Sequence, residues 1–593
     1  MTAPDPTADK PVSSVKRLTR HDQVVLTVLA VAVGALAGGA AIGFRHTIDA
    51  VQDLGFGQGE LDFIDLVSGL PWWQILLVPA MGGLAVGLFI HFFMPNRRPQ
   101  GVADVMEANA LRGGRMSVTL GLKAALASAV SLGSGASVGR EGPVVHLGAS
   151  LGSWVSKRLH LGRSPSRTLL GCGVAAAIAT SFNAPIAGTF FALEVVVGHY
   201  ALTAFAPVVI ASVTGTIISR MYYGDFPAFI LPGLRTITSF WEFPAFALLG
   251  IISAAVAIIL MRSISIAEDT MKRTPVPGWL QPALGGLAVG AIGIWFPQVL
   301  GVGYEATDAA LSERYALWLL LTLLVLKTAA TAISLGCGFS GGIFSPTLVI
   351  GAMLGGAFGI IATQAFPDLS SGHGAYTIVG MGAVAGAVLG APISTILMIF
   401  ELTNDYAITI AVMIATTIAS NLTQAAYGHS FFTWQLSRRG VTISGAQDVG
   451  LLRSVRASDV MSKVYDALSP TTPIAEVRER LQRAPWGELF VIDENGKLAG
   501  VITFSDLHEA AFDTSHDAEL IADNVARKRP TALEAHDDLE AAVKAFTLSG
   551  EVNLPVVDNA ANMHLIGVAQ EHEIVLAYHR ARDRARGEER GGD

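Results

Sequence analysis

The chain has 593 residues, of which 51% are hydrophobic and only 15% charged, with a net charge of −8. Soluble domains carry about a quarter charged residues, so a wholly soluble protein is excluded. The charge averages an apolar part with a charged tail and indicates no nucleic-acid partner.

Met1–Asp22 is a polar arm holding Lys10, Lys16, Arg17 and Arg20, and the first apolar run follows at Val24–Phe44. That run is too long for a signal-peptide core. Further runs lie at Trp72–Met94, Pro244–Leu260, Ala316–Leu335 (broken by Lys327) and Ala407–Ala426. Stretches of about 20 such residues predict membrane spans. Basic residues in the arm, at Arg97, Arg98, Arg112 and Arg115, and at Arg438 and Arg439 place both termini in the cytoplasm by the positive-inside rule. Cys172 and Cys337 lack motif spacing and are predicted to be packing residues. No nucleophile–base pattern or metal spacing appears, so no enzyme is expected.

Within the apolar part a motif occurs twice. Residues 131–143 read SLGSGASVGREGP and residues 334–346 read SLGCGFSGGIFSP, an offset of 203. Later, Ala184-Pro185-Ile186 precedes Glu194 as Ala391-Pro392-Ile393 precedes Glu401. This predicts two homologous halves, near 24–225 and 237–430. Repeated halves meet at a midplane site built from broken helices. Gly139, Gly142 and Pro143, like Gly341, Gly342 and Pro346, interrupt an apolar run and restart it. A restarted helix exposes unpaired N–H groups and about half a positive charge, so two such starts face to face make an anion site. Tight helix packing through small residues is the alternative reading of these glycines. Glu141, a carboxylate inside this apolar sequence, needs a reason to be there; a structural ion pair with Arg140 is the plain one.

These segments resemble the CLC family of chloride channels and proton-coupled chloride exchangers. Gly139-Arg140-Glu141-Gly142-Pro143 is similar to its G-[KR]-E-G-P motif, Gly342-Ile343-Phe344-Ser345-Pro346 to its G-x-F-x-P motif, and Phe182-Asn183-Ala184-Pro185 to its F-N-A-P segment. The resemblance spans about residues 24–436. It implies an all-α polytopic membrane domain (23–436) with an inverted repeat of broken helices, in the cytoplasmic membrane. It also implies a homodimer with one pathway per subunit for chloride or a related monovalent anion. Glu141 would be the gate, an anion on a tether competing for the backbone amides. Gly139, Arg140, Gly142, Ile343 and Phe344 would belong to the anion site.

The chain departs from the family at three positions. Gln100 stands where the family has a central serine, and Phe432 where it has a central tyrosine. Gln100 still offers an amide donor, but Phe432 has lost its hydroxyl. Val195 follows Phe191-Ala192-Leu193-Glu194 at the position where exchangers commonly carry an inner proton-handling glutamate. Valine holds no proton, so a passive channel is expected over a proton-coupled exchanger. Glu194 has a repeat mate in Glu401, which points to a structural role for both. Pro143 favours the chloride over the fluoride subtype.

After a linker at 437–456 the composition turns soluble. "LFVIDENGKLAGVITFSDLHEAA" predicts strand, Asn495-Gly496 turn, strand and helix, and "LPVVDNAANMHLIGVAQEHEIVLAY" repeats the order. Helices are predicted around 474–484 and 537–549. This resembles an α/β pair of CBS domains, at 457–515 and 516–580, followed by a polar tail at 581–593. The resemblance implies an adenine nucleotide at Gly500, Thr503 and Asp506, with no cofactor required. Thr503 and Asp506 equally have the spacing of a helix cap. A membrane-bound nucleotide sensor with a vestigial pore is the alternative function.

Overall fold

The computed structural model describes residues 20–57, 63–198, 202–225, 237, 239–441, 455–484, 486–507, 517 and 519–589. The arm up to residue 19 and most of the 437–456 linker lie outside them. The chain divides into two compact units, Met1–Ile443 and Ser444–Asp593.

The first half of the membrane unit contains α1 (Arg20–Phe56), α2 (Phe63–Ser68), α3 (Trp72–Phe93), α4 (Val102–Leu111), α5 (Val118–Gly133), α6 (Glu141–Arg158), α7 (Arg163–Phe182), α8 (Pro185–Phe191) and α9 (Leu202–Tyr223). The second half contains α10 (Phe243–Arg273), α11 (Gln281–Trp295), α12 (Tyr304–Leu311), α13 (Leu317–Gly336), α14 (Phe344–Ala365), α15 (His373–Leu389), α16 (Pro392–Thr403), α17 (Tyr406–Tyr427) and α18 (Phe431–Ser437). Among the described residues, seven stretches are long and apolar enough to cross a membrane. The α14 stretch is 83% buried within the protein, against 39–44% for the other six, so α14 is central and shielded from lipid. Lys327, the charge inside α13, is buried and donates to the carbonyls of Val299 (2.9 Å) and Gly301 (3.0 Å).

The two halves interlock through their repeated motif. Gly139 and its repeat mate Gly342 exchange backbone hydrogen bonds, at 2.6 Å from the Gly139 N–H and 2.7 Å from that of Gly342. The serines of the motif cross over in the same way. Ser334 Oγ accepts from the Ser137 N–H and Ser131 Oγ accepts from the Ser340 N–H, both at 3.1 Å. Gly135 and Gly338 both hold φ +91°, a region that L side chains rarely adopt. A Cβ on Gly342 would stand 2.8 Å from the Gly142 nitrogen, so glycine is required by close approach. The motif is thus the seam of a pseudo-twofold.

A second reciprocal contact links α8 and α16. The Glu401 carboxylate accepts from the N–H groups of Ile186 (2.8 Å) and Ala187 (2.7 Å) at the start of α8. Glu194 accepts from those of Ile393 (3.0 Å) and Ser394 (2.8 Å) at the start of α16. Each carboxylate satisfies orphan donors and the positive end of the other helix. Glu194 lies in a π-helical continuation of α8, Ala192–Val197.

The soluble unit holds α19 (Ala457–Val460), β1 (Ala467–Leu468), α20 (Ile474–Arg483), β2 (Glu488–Ile492), β3 (Leu498–Thr503) and α21 (Phe504–Leu507). Then come α22 (Ala522–Val525), β4 (Arg527–Lys528), β5 (Leu533–Glu534), α23 (Leu539–Ser549), β6 (Asn553–Val557), β7 (Leu565–Gln570) and α24 (Glu571–Glu589). One sheet has the order β1-β2-β3-β4 and the other β5-β6-β7. In both, a short strand pairs parallel to the first arm of a hairpin. Both hairpins shift register near the end of the first arm, at Val491/Ile492 and Val556/Val557.

The cores do not follow the sequence-defined boundaries. Ala457 of the first unit packs with Leu533, Phe546 and Ile574 of the second, whereas Ala522 packs with Leu468, Val477 and Ile502 of the first. Each opening segment buries its apolar residues on the other repeat.

Candidate anion pathway

Helices α6 and α14 start on either side of the Gly139–Gly342 pairing, so both present N-termini there. The Glu141 side chain is buried, with 1% exposure. An unpartnered carboxylate at that depth is costly, and donors on the second half offset the cost. Ser345 N–H donates to its Oε2 at 3.2 Å, Tyr304 O–H donates to its Oε1 at 2.9 Å, and the Ser345 hydroxyl donates to Oε1 as well. The carboxylate therefore sits on the N-terminus of α14.

Arg140 is not the principal partner of Glu141. Its Nη2 donates to the Ser181 carbonyl at 3.0 Å, and its guanidinium lies 4.7 Å from the centre of the Tyr304 ring. Its Nε stands 4.0 Å from Glu141, at the outer limit of an ion pair. Arg140 thus positions Tyr304, which in turn holds Glu141.

A cavity of about 90 Å³ is lined by Gln100, Gly101, Glu141, Gly142, Ile343, Phe344, Phe432 and their neighbours. One water-sized particle needs only about 10–15 Å³. The cavity brings together residues from α6, α14, α18 and the turn before α4, although they are scattered from position 99 to 439. Gly139 and Arg140 do not line it. The Gly139 N–H is committed to the Gly342 carbonyl and offers nothing to an ion. Phe344 packs against Phe182 and Phe191, at ring distances of 5.1 and 5.9 Å, which fixes the apolar wall. Val195 is 7% exposed and does not line the cavity.

Sequence reasoning missed Tyr304 and the Ser345 hydroxyl. Ser345 was visible as the variable position of the second motif, next to Phe344. Tyr304 carried no signal, since it lies 163 residues from the carboxylate it holds.

In the soluble unit, Asp506 accepts from the N–H (2.8 Å) and hydroxyl (2.7 Å) of Thr503. These are the contacts of a cap at the start of α21. Gly500 pairs with Val491 and Lys528 within its sheet.

The family model described as "Voltage gated chloride channel" matches residues 82–424, and that of the CBS domain matches residues 457–513. A "Putative chloride channel protein ClcB-like" from Ralstonia nicotianae is 36% identical over 389 residues, 65% of this chain and 90% of that protein. Among solved structures, a slow cyanobacterial Cl⁻/H⁺ antiporter superposes with TM-score 0.64 at 23% identity, covering 70% of this chain and 97% of its own. A eukaryotic CLC transporter superposes with TM-score 0.60 at 17% identity, covering 93% and 98%. At those identities the two structures establish a shared fold. Because the family match extends over more than half of its length, the chain belongs to the voltage gated chloride channel family.

Proposed function

We propose that the protein passes chloride or a related monovalent anion across the cytoplasmic membrane, with Glu141 as the gate. The observation that carries this reading is the Glu141 carboxylate held by Ser345 and Tyr304 where it lines a cavity. A carboxylate and a halide compete for the same donors, and oriented dipoles bind an ion without trapping it. Loss of the carboxylate's charge, or its displacement, frees the position. Gln100 offers a polar side chain to an ion in this cavity, while Phe344 and Phe432 contribute apolar wall. The family relatives are themselves named as chloride channels.

Transport is passive in this reading. Val195 carries no proton, and the adjacent Glu194 is occupied with the first N–H groups of α16. Reconstituted protein should release chloride from liposomes, and a chloride gradient should drive no proton uptake. Proton movement at a fixed stoichiometry overturns the passive reading and supports exchange; absence of chloride flux overturns transport and favours the vestigial-pore sensor. Glu141→Gln should flatten the pH profile of flux, and an unchanged profile removes Glu141 as the gate. The protein is proposed to act as a homodimer with cytoplasmic termini. Its tail is proposed to take an adenine nucleotide at Gly500, Thr503 and Asp506, testable by calorimetry with wild type and Asp506→Ala.

A further inference from the structure

Next to the pathway cavity lies a second one of about 820 Å³. The two share Pro99, Glu268, Leu335, Trp434, Gln435 and Arg439, so the larger one forms a mouth of the pathway. Its size exceeds what a halide needs and falls in the range of about 300–1,000 Å³ typical of small-molecule sites.

The lining is strongly basic. Arg97, Arg98, Lys272, Arg438 and Arg439 all contribute to it. Among the described residues, Asp104 pairs with both Arg98 (2.7 Å) and Arg439 (3.0 Å), Asp269 with Arg438, and Glu268 with Lys272 (2.5 Å). Five cations against three carboxylates leave a surplus of two positive charges. Arg98 Nη1 is buried without a hydrogen-bond partner. Asn96 and Arg97 are consecutive left-handed residues, with φ 56° and 50°. Asparagine tolerates that region, whereas arginine adopts it only under strain, and strain of this kind clusters at ligand clamps.

We propose that this mouth binds a multivalent oxyanion of the phosphate class, which obstructs the pathway while bound. The obstruction rests on the conduction reading above; the binding does not. Guanidinium groups bind phosphate oxygens through paired N–H donors, a geometry that a monatomic halide cannot use. A divalent oxyanion neutralises the surplus of two charges, where a halide neutralises half.

The test uses the full chain, with inorganic pyrophosphate as the probe. Calorimetry on detergent-solubilised protein should show saturable binding, weakened about tenfold or more in Arg97→Gln, as expected for one lost charge-assisted contact. Binding that is undetectable, unchanged in Arg97→Gln, or abolished only by Asp506→Ala in the tail overturns the site. In phosphatidylcholine liposomes, pyrophosphate on both faces should reduce chloride efflux, with the same dependence on Arg97. Undiminished efflux beside Arg97-dependent binding overturns the obstruction. No efflux under any condition, with binding intact, refutes conduction and leaves the site standing. A parallel series with phosphatidic acid in the bilayer separates the sources. Arg97-dependent inhibition by the lipid, with no effect of free pyrophosphate, overturns the soluble ligand in favour of a headgroup.

Discussion

Replacing Tyr304 with phenylalanine removes one donor from the Glu141 carboxylate and leaves the ring under Arg140 in place. A hydrogen bond to a charged group contributes about 1.5–3 kcal/mol, which corresponds to about 10- to 150-fold in the ratio of occupied to vacated gate position. The same hydroxyl can donate to a halide that takes the carboxylate's place. The two losses therefore offset each other when the position is filled by chloride, and the full effect is felt only when it is empty. Tyr304→Phe should raise unitary open probability, or initial liposome efflux, by an order of magnitude or more at low chloride. The gain should shrink toward unity as chloride rises. A gain independent of chloride, or reduced flux at low chloride, refutes Tyr304 as a latch on the gate.

Gly342→Ala should disrupt the seam between the halves, because its Cβ would lie 2.8 Å from the Gly142 nitrogen. Overpacking of this kind costs about 1–3 kcal/mol, readable as a lower Tm in detergent, whereas Gly43→Ala, with open space around it, should not lower it. Glu401→Gln and Glu194→Gln should lower Tm by similar amounts, since each leaves one N–H of a helix start facing an amide NH₂ instead of an oxygen. A transport change specific to Glu194→Gln, without a loss of Tm, contradicts the capping role. In the soluble unit, burial pushes the Glu488 carboxyl up to about 7, and the nearby Glu551 and Asp506 add to the rise. The folded form holds this proton more tightly than the unfolded form, so stability falls as pH rises from the ordinary carboxyl range through about 7. Glu488→Gln should therefore stabilise the tail above that pH, by about 2 kcal/mol once the full linkage value is discounted for solvent screening, and little at pH 5, seen as a shifted tail transition in pH-resolved thermal unfolding of the full chain.

The order of elements was legible without coordinates because local patterns encode them. The apolar runs became α1, α3, α10, α13 and α17, and the repeated motif marked where α6 and α14 begin. The strand–turn–strand pattern around Asn495-Gly496 became β2 and β3, and its echo became β6 and β7. The pairing of Glu194 with Glu401 was legible as symmetry, but its chemistry was not. Spacing shows that two carboxylates are equivalent without showing that each caps the other half's helix.

The sequence by itself determined the membrane class, the two halves, the broken-helix starts and the buried carboxylate, since these depend on composition and on repeats along the chain. Only the tertiary structure decided that Gly139 gives its amide to Gly342, that Arg140 serves Tyr304 more than Glu141, and that Tyr304 and Ser345 hold the carboxylate. It likewise decided that the opening segments of the two tail repeats exchange cores. These contacts join residues from different parts of the chain, and their partners are chosen by how helices and sheets pack, which no local periodicity records.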